Sequence, residues 1–383
     1  MNERAGRRHA FLYRLLRALV RLPVSLYMHY ACPRVKLPDG PCIVLANHNT
    51  DLDPLLVAFA FDRHMYFVAS EHVFRKGFWS KALTKIFAPI SRMKGSTDAA
   101  AALEILRRLK RKENVCLFPE GNRSYTGVTG EIFPATGKLV KASGATLVTF
   151  RFLGGYLATP RWARNHRRGP VRGELRGIYA PDALRKMDAD AVNALIAKDI
   201  FEDAFLRQER ERTRYPARAK AEWLETALYV CPKCQKIGTL HSFGDTFACD
   251  ICGLQTTYTD EGLFAGGDAP FHTVRDWDVW QTEWMRAYIN ALGDGEAFSD
   301  GGVTLERIGE GHEMSAADSG RLVMSRSALT VGKTRFPLAE ISGMALFGKA
   351  KIALTAAGAH YEIRFPPAGC GRKYLLLYEM IHG

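Results

Sequence analysis

The stretch IVLANHNTDLDP, residues 43–54, passes from a short apolar run directly into a polar turn. Consecutive apolar residues bounded by turn formers predict a short buried strand, and the proline after the turn predicts the start of a helix. His48 and Asp53 lie five positions apart in this turn. A carboxylate beside an imidazole fixes the tautomer of the ring and stabilises the imidazolium, so the pair has the chemistry of a general base. A loop histidine followed by an aspartate at the N-cap of a helix also explains these residues.

The segments that follow the turn alternate between the patterns of helices and strands. Strands are expected at residues 65–69, 115–118 and 146–152, and helices at residues 54–61, 97–112 and, in a highly charged region, 182–214. This alternation indicates an α/β fold. The chain has 383 residues, enough for two or three domains. We expect the first of them to span residues 31–215.

A second polar block, FPEGNRS at residues 118–124, follows the strand expected at 115–118. Gly121 allows the backbone to approach a ligand closely. Arg123 offers a planar fork of donors that suits a phosphate group. Taken alone, the block is equally consistent with a solvent-exposed turn.

Together, the two blocks resemble the glycerolipid acyltransferase family, whose best-known members are the 1-acylglycerol-3-phosphate acyltransferases. The resemblance rests on Asn-His-x-Ser/Thr-x-x-Asp at residues 47–53 and Phe-Pro-Glu-Gly-x-Arg-Ser at residues 118–124, and it covers roughly residues 25–210. It implies acyl transfer from acyl-CoA or acyl carrier protein to the free hydroxyl of a lysophospholipid. The expected acceptor is 1-acyl-glycerol-3-phosphate, which gives phosphatidic acid. Another lysolipid acceptor, such as an amine-bearing lipid, and a non-catalytic lipid-binding scaffold are the alternatives.

The resemblance assigns the catalytic roles to two residues. His48 would deprotonate the acceptor hydroxyl, which then attacks the thioester carbonyl, and Asp53 would hold His48 in orientation. No acyl-enzyme is expected, so no cysteine is needed as a nucleophile.

The resemblance also assigns substrate-binding residues. Glu120, Gly121 and Arg123 occupy the acceptor-binding block, with Arg123 as the partner for a glycerol phosphate. The family's second block usually ends in Ile-Asp-Arg, and Ile90-Ser91-Arg92 stands in its place. Arg92 is therefore a second candidate for phosphate binding, and Lys94 would assist it.

Three departures from the family pattern leave the acceptor open. Ser91 replaces the usual aspartate, and Asn122 stands where threonine is usual. The fourth block, at residues 146–150, lacks the usual proline, and a basic stretch follows at residues 161–176. These changes affect the expected headgroup more than the expected reaction.

Two Cys-x-x-Cys pairs lie at residues 228–262. Cysteines that can bind one metal ion are Cys231, Cys234, Cys249 and Cys252. Two such pairs place four thiolates tetrahedrally around Zn²⁺, and a site closed by four cysteines is structural. A thioredoxin-type redox motif needs a single pair at a helix start in a βαβ unit, which is absent here. We therefore predict a zinc ribbon, and the scattered remaining cysteines favour a reducing compartment.

The positive charge of the chain points to an anionic partner. Lys and Arg number 53 against 40 Asp and Glu, which gives +13 and a pI near 9.4. Basic and apolar residues recur at helical spacing in residues 1–30, a pattern typical of an amphipathic helix in a membrane interface and also of a helix packed on its own domain. No apolar run reaches the length of about 18 residues that a spanning helix needs. We expect peripheral association with the cytoplasmic side of a membrane, and acidic residues around the ribbon make nucleic acid an unfavoured partner.

The last part of the chain is expected to be β-rich. Residues 269–292 read as a helical connector that carries three tryptophans, and residues 293–302 read as a Gly/Asp-rich linker. Short alternating segments and a closing helix in residues 300–383 resemble a pleckstrin-homology or GRAM-like domain. Such a domain would contact lipid headgroups or support the enzyme.

Overall fold

The computed structural model describes residues 3–70, 88–92, 99–293, 295–309 and 313–382. Contacts between backbones divide the described chain into two compact units. The first unit holds the described residues up to Pro216 except residues 161–165, which belong to the second unit together with the chain from Ala217 onward.

The first unit is built on a mixed sheet, to which seven strands contribute within the described residues. The strands are β1 (Tyr30–Ala31), β2 (Cys42–Ala46), β3 (Met65–Ser70), β4 (Ile90–Arg92), β5 (Asn114–Leu117), β6 (Thr146–Leu153) and β7 (Val171–Tyr179). Their order across the sheet is β1-β7-β6-β2-β5-β3-β4. Strand β2 is central and buried along its whole length, because parallel neighbours β5 and β6 flank it. The expected α/β fold is thus confirmed.

Strand β7 is the part of this sheet that the sequence does not predict. It pairs antiparallel with β6. Its first part lies in residues 161–176, for which the sequence indicates only a basic stretch. Burial alternates at its start, where Val171 is buried and Arg172 is exposed. A glycine at the buried position 173 and an isoleucine at the exposed position 178 break the period-two pattern of a half-buried strand.

Helices cover the sheet of the first unit. They are α1 (Glu3–Tyr27), α2 (Asp53–Ala60), α3 (Ala99–Lys110), α4 (Ala135–Ser143), α5 (Gly155–Ala158), α6 (Pro181–Arg185), α7 (Ala189–Ile200) and α8 (Ala204–Glu211). The single charged helical region expected at 182–214 is three helices, because Asp188 and Asp203 cap new helix starts by accepting hydrogen bonds from backbone N–H groups. Apolar faces of α3, α4 and α7 share one core with β2, β5 and β6.

The second unit contains two antiparallel sheets and two long helices in its described part. The four-stranded sheet comprises β8 (Leu240–Phe243), β9 (Thr246–Cys249), β10 (Gln255–Tyr258) and β11 (Phe264–Ala265), and the helices are α9 (Val274–Ala291) and α10 (Arg372–His382). Trp277 of α9 is buried and donates to the carbonyl of Val230 at 3.0 Å, so this helix packs beside the first cysteine pair. Asp278 of α9 pairs with Arg372 of α10.

The larger sheet of the second unit is built from two meanders. Its strands are β12 (Glu296–Ile308), β13 (Met314–Ser325), β14 (Ala328–Val331), β15 (Thr334–Pro337), β16 (Ile341–Phe347), β17 (Lys351–Ala356) and β18 (Ala359–Arg364). Strand β12 pairs with both β13 and β18, which joins two runs of antiparallel strands into one sheet. Residues 296–302, expected in a linker, form the start of β12. Glycines at bulges within this strand explain why its composition resembles a loop.

Candidate active site and cysteine cluster

The candidate catalytic pair lies at the carboxyl end of the central strand β2. His48 Nδ1 and Asp53 Oδ2 are 2.9 Å apart. Asp53 is buried, and about a fifth of the His48 side chain is exposed. An ionised carboxylate can only accept, so Nδ1 donates and Nε2 keeps its lone pair. The ring also stacks on Phe118 at the end of β5, with centroids 4.4 Å apart.

Asp53 does more than orient the imidazole. Its carboxylate accepts from the backbone N–H groups of Asn49 and Thr50 at 2.6 and 2.8 Å, and from Thr50 Oγ1 at 2.6 Å. The residue at the N-cap of α2 is Leu52, so the helix-capping explanation of Asp53 is wrong. Asp53 therefore holds the turn through hydrogen bonds to the backbone of Asn49 and Thr50 as well as through its contact with the His48 ring.

Asn47 and Ser124 join this turn to the neighbouring strand ends. The Asn47 side chain exchanges two hydrogen bonds with the backbone of Phe152 in β6, at 2.9 and 2.7 Å. The backbone N–H of Ser124, in the block after β5, donates to the carbonyl of His48 at 2.9 Å. Because β2, β5 and β6 run parallel, their carboxyl ends meet at one edge, and the two sequence blocks lie together there.

Glu120 is hydrogen-bonded to the main chain of the candidate base, His48. Its Oε1 accepts from the backbone N–H of His48 and its Oε2 from that of Gly130, both at 2.7 Å. Burial raises the pKa of Glu120 to about 8, against the effect of these two hydrogen bonds. Gly121 follows with φ of 71°, a conformation that glycine adopts readily and that turns the chain toward Arg123. The carboxylate is thus engaged with the main chain of the loops.

Arg123 is held by its own chain. Nε donates to the carbonyl of Asn49 at 3.0 Å and Nη2 to the carbonyl of Thr159 at 2.7 Å, while Nη1 lies 2.9 Å from Oδ2 of Asp51. The guanidinium lies beside the turn at residues 47–53 and connects it to Thr159, the residue that follows α5. The second pair of expected phosphate ligands is not described: the side chain of Arg92, the last residue of β4, and the whole of Lys94 lie outside the described residues.

Glu202, between α7 and α8, is a buried residue of this region that the sequence analysis misses. Its Oε2 accepts from Asn49 Nδ2 at 2.7 Å, and its Oε1 accepts from the backbone N–H of Gly154 at 2.8 Å. Burial raises the pKa of Glu202, and the nearby Arg207 opposes that shift. Asn49 lies 153 positions away in sequence, so no local pattern could identify this contact.

The four paired cysteines of the second unit converge. Their Sγ atoms all lie within 4.8 Å of one another. Cys231 and Cys252 are 3.5 Å apart, and Cys234 and Cys249 are 3.7 Å apart. Zinc–sulfur bonds of about 2.3 Å in a tetrahedron place sulfurs about 3.8 Å apart, so this donor set fits zinc.

The two turns that carry the cysteines are alike. The backbone N–H of Gln235 donates to the carbonyl of Cys231, and that of Gly253 donates to the carbonyl of Cys249. Both donors have positive φ, 55° and 69°. The same tight turn after each pair is what two equivalent metal knuckles require, and His241 stays outside the cluster, paired with Asp250.

Comparison with known proteins gives a family match for the segment that carries the first of these sites. A family model described as acyltransferase matches residues 31–152, the segment that contains His48, Asp53 and the block at 118–124. This segment is an acyltransferase domain. The resemblance to the glycerolipid acyltransferases is thereby confirmed for the segment matched.

Among solved structures, the chain is similar to the crystal structure of the 1-acyl-sn-glycerophosphate (LPA) acyltransferase PlsC from Thermotoga maritima. The two are 19% identical, with a TM-score of 0.40, and the match covers 49% of this chain and 78% of that one. The comparison with curated proteins returned no match. The acyltransferase domain is therefore assigned by the family match, which ends at residue 152.

Proposed function

We propose that the acyltransferase domain moves an acyl chain from acyl-CoA or acyl carrier protein to the free hydroxyl of a lysophospholipid. The observation that carries this proposal is the hydrogen bond between His48 Nδ1 and Asp53 Oδ2 within the acyltransferase domain. It leaves Nε2 as the basic atom at the exposed side of the pair. The acceptor that the family resemblance implies is 1-acyl-glycerol-3-phosphate, with phosphatidic acid as the product.

The proposed reaction transfers the acyl group directly from the thioester to the acceptor hydroxyl. His48 Nε2 takes the proton of the acceptor hydroxyl while the hydroxyl oxygen attacks the thioester carbonyl. The tetrahedral intermediate collapses with cleavage of the carbon–sulfur bond. The departing thiolate takes the proton back from His48, which regenerates the enzyme and releases ester and thiol. Asp53 stabilises the imidazolium between these steps.

Membrane association is part of the proposal, because both the acceptor and the product are lipids. Helix α1 exposes a row of large apolar side chains at spacings of three and four residues, Phe11, Leu15, Leu19, Leu22 and Leu26. The opposite face is fixed to the first unit, where Tyr13 is buried and Arg17 donates to the carbonyl of Phe61. Among the described residues, no helix is both long and apolar enough to cross a bilayer. An exposed apolar row on a basic helix suits insertion into the interface of a bilayer.

For the second unit we propose a structural zinc ion at the four cysteines and a pleckstrin-homology or GRAM-like role for the β-rich part. The zinc proposal is supported by the sulfur spacings and the paired turns. The second proposal is supported by two antiparallel runs, β12–β15 and β16–β18, followed by helix α10 at the carboxyl end. Contact with lipid headgroups would give this part a role in membrane association.

The function is tested by acyl transfer with purified protein and liposomes. In one assay labelled acyl-CoA is supplied with 1-acyl-glycerol-3-phosphate, and in a second assay labelled acyl-(acyl carrier protein) is the donor. The esterified lipid is measured in both. We expect His48→Ala to lose turnover by a factor of at least about a thousand. His272→Ala, at an exposed histidine of the second unit, is the matched control and should keep full activity. An active His48→Ala protein would contradict the mechanism.

A further inference from the structure

Asp51 and Arg123 form an ion pair inside the catalytic turn. The Asp51 carboxylate lies three residues after His48, and its Oδ2 is 2.9 Å from Nη1 of Arg123. The two partners differ in exposure: 84% of the Asp51 side chain is exposed, against 11% of the Arg123 side chain. The positive charge of the pair is thus mostly buried, whereas its negative charge is exposed to solvent.

The contacts of this pair allow another anion to replace Asp51 on Arg123. Arg123 keeps its place without Asp51, since Nε and Nη2 donate to the main-chain carbonyls of Asn49 and Thr159. The Asp51 side chain is largely exposed to solvent. Ion pairs with an exposed member are weak, so a phosphate group of the acceptor can take the place of Asp51 on the guanidinium.

The displaced carboxylate then remains beside the bound headgroup. A phosphate monoester carries nearly two negative charges at neutral pH, and Asp51 would repel it. A phosphate diester that bears an ammonium group carries one negative and one positive charge. Its phosphate can contact Arg123 while its ammonium contacts Asp51, so the charge of both protein groups is matched.

We propose that Asp51 determines acceptor specificity and that the preferred acceptor is a zwitterionic lysolipid, with its phosphate on Arg123 and its ammonium on Asp51. This inference rests on the proposed acyl transfer and narrows its substrate. It selects the amine-bearing alternative over 1-acyl-glycerol-3-phosphate.

The test compares two acceptors of the same acyl chain, 1-acyl-glycerol-3-phosphate and 1-acyl-glycerol-3-phosphoethanolamine. The full-length protein is assayed on each, and the ratio of kcat/KM values is measured for the natural protein and for Asp51→Asn. We expect the natural protein to favour the zwitterion, and Asp51→Asn to shift the ratio toward the monoester by roughly tenfold, through the KM of the acceptor. The KM of the acyl donor should not change, and the shift should shrink at high salt.

Asp182→Asn is the matched control. Asp182 is also an exposed aspartate of the first unit paired with an arginine, Arg185, but on helix α6. It should leave the acceptor ratio unchanged. An unchanged ratio in Asp51→Asn, or an equal shift in Asp182→Asn, would overturn the role of Asp51.

Binding measurements separate this inference from the proposed reaction. Short-chain forms of the two lysolipids are titrated calorimetrically into the same proteins below the concentrations at which they form micelles. Absence of turnover together with an Asp51-dependent binding preference would overturn the reaction and support the specificity. Turnover with a ratio that Asp51→Asn does not alter, and no binding preference, would overturn the specificity alone.

Discussion

The backbone N–H of His48 donates to Oε1 of Glu120 at 2.7 Å, so a buried carboxyl group holds the main chain of the candidate base. The second oxygen of Glu120 accepts from the N–H of Gly130 at the same distance. A single side chain thus joins the turn after β2 to the loop that follows the second sequence block. Glu120 is a positioning residue in this arrangement, because it acts on the base through the backbone.

Replacing Glu120 with Gln should therefore slow catalysis. An amide offers one acceptor oxygen and one NH2 group, and this NH2 group would face a backbone N–H where a carboxyl oxygen now accepts. We expect kcat to fall by roughly tenfold to a hundredfold, since small displacements of reacting groups carry costs of this size. The KM of the acyl donor should change little. Glu209→Gln, at an exposed position of α8, is the control, and equal kcat values in the two variants would contradict the positioning role.

The same carboxyl group predicts a pH dependence of stability. Burial raises the pKa of Glu120 from 4.5 to about 8. Between these values the folded protein binds the proton that the unfolded chain has lost, so the contribution of this group to the free energy of unfolding falls as pH rises. Above the folded pKa the contribution is gone. Denaturant unfolding from pH 5 to 8.5 should show natural protein losing stability relative to Glu120→Gln as pH rises; a constant difference would contradict the raised pKa.

Asn49 and Glu202 should be energetically coupled. Their side chains meet at 2.7 Å in a buried site, and removing either leaves a polar partner unsatisfied. A double-mutant cycle with Asn49→Ala and Glu202→Ala, read by denaturant unfolding, should give a coupling free energy of about 1–2 kcal/mol. The control cycle pairs Asn49→Ala with Asn193→Ala, whose side chain bonds to Pro134 instead, and should be additive. Additivity in the first cycle would show that the contact contributes nothing specific.

The cysteine cluster predicts one bound metal ion per chain. Purified protein should contain one zinc per chain, and Cys231→Ser should contain much less because a closed site needs all four thiolates. The middle of the second unit should then unfold at lower denaturant concentration. Cys32→Ser, at a half-buried cysteine of the first unit, should keep its zinc. A full equivalent of zinc in Cys231→Ser, measured by elemental analysis, would rule out the four-cysteine site.

The exposed row on α1 predicts the strength of membrane binding. Replacing Leu19 and Leu26 with Ser removes two exposed leucines from the row without disturbing the buried Tyr13 on the other face. Each leucine that enters a bilayer interface contributes on the order of 1 kcal/mol, so partition into anionic vesicles should fall by about tenfold or more. Leu206→Ser, at an exposed leucine of α8, is the control. Co-sedimentation unaffected by the double change would exclude α1 as the membrane contact.

Local patterns are sufficient to predict the centre of the acyltransferase domain. Strand β2, the turn from Asn47 to Asp53 and the block after β5 are each encoded in a few consecutive residues, and their common edge follows from parallel pairing. The partners of Arg123 and of Asn49 are not encoded in this way. Arg123 meets Asp51 across 72 positions, and its expected phosphate role gives no indication of that pairing. Strand β12 is missed for a different reason, since its bulges require the same glycines that mark a linker.

The segment at residues 161–165 has a consequence for the order in which the protein can be assembled. Trp162 is fully buried, and its ring lies 5.4 Å from that of Tyr258, which the ribosome adds 96 residues later. Lys349, later still, donates to the carbonyl of Ala163. At a synthesis rate of about 5–20 residues per second, Tyr258 follows Trp162 by on the order of ten seconds. A chain truncated after Pro216 would lack Tyr258 and Lys349, so the segment at residues 161–165 would lose both of these contacts.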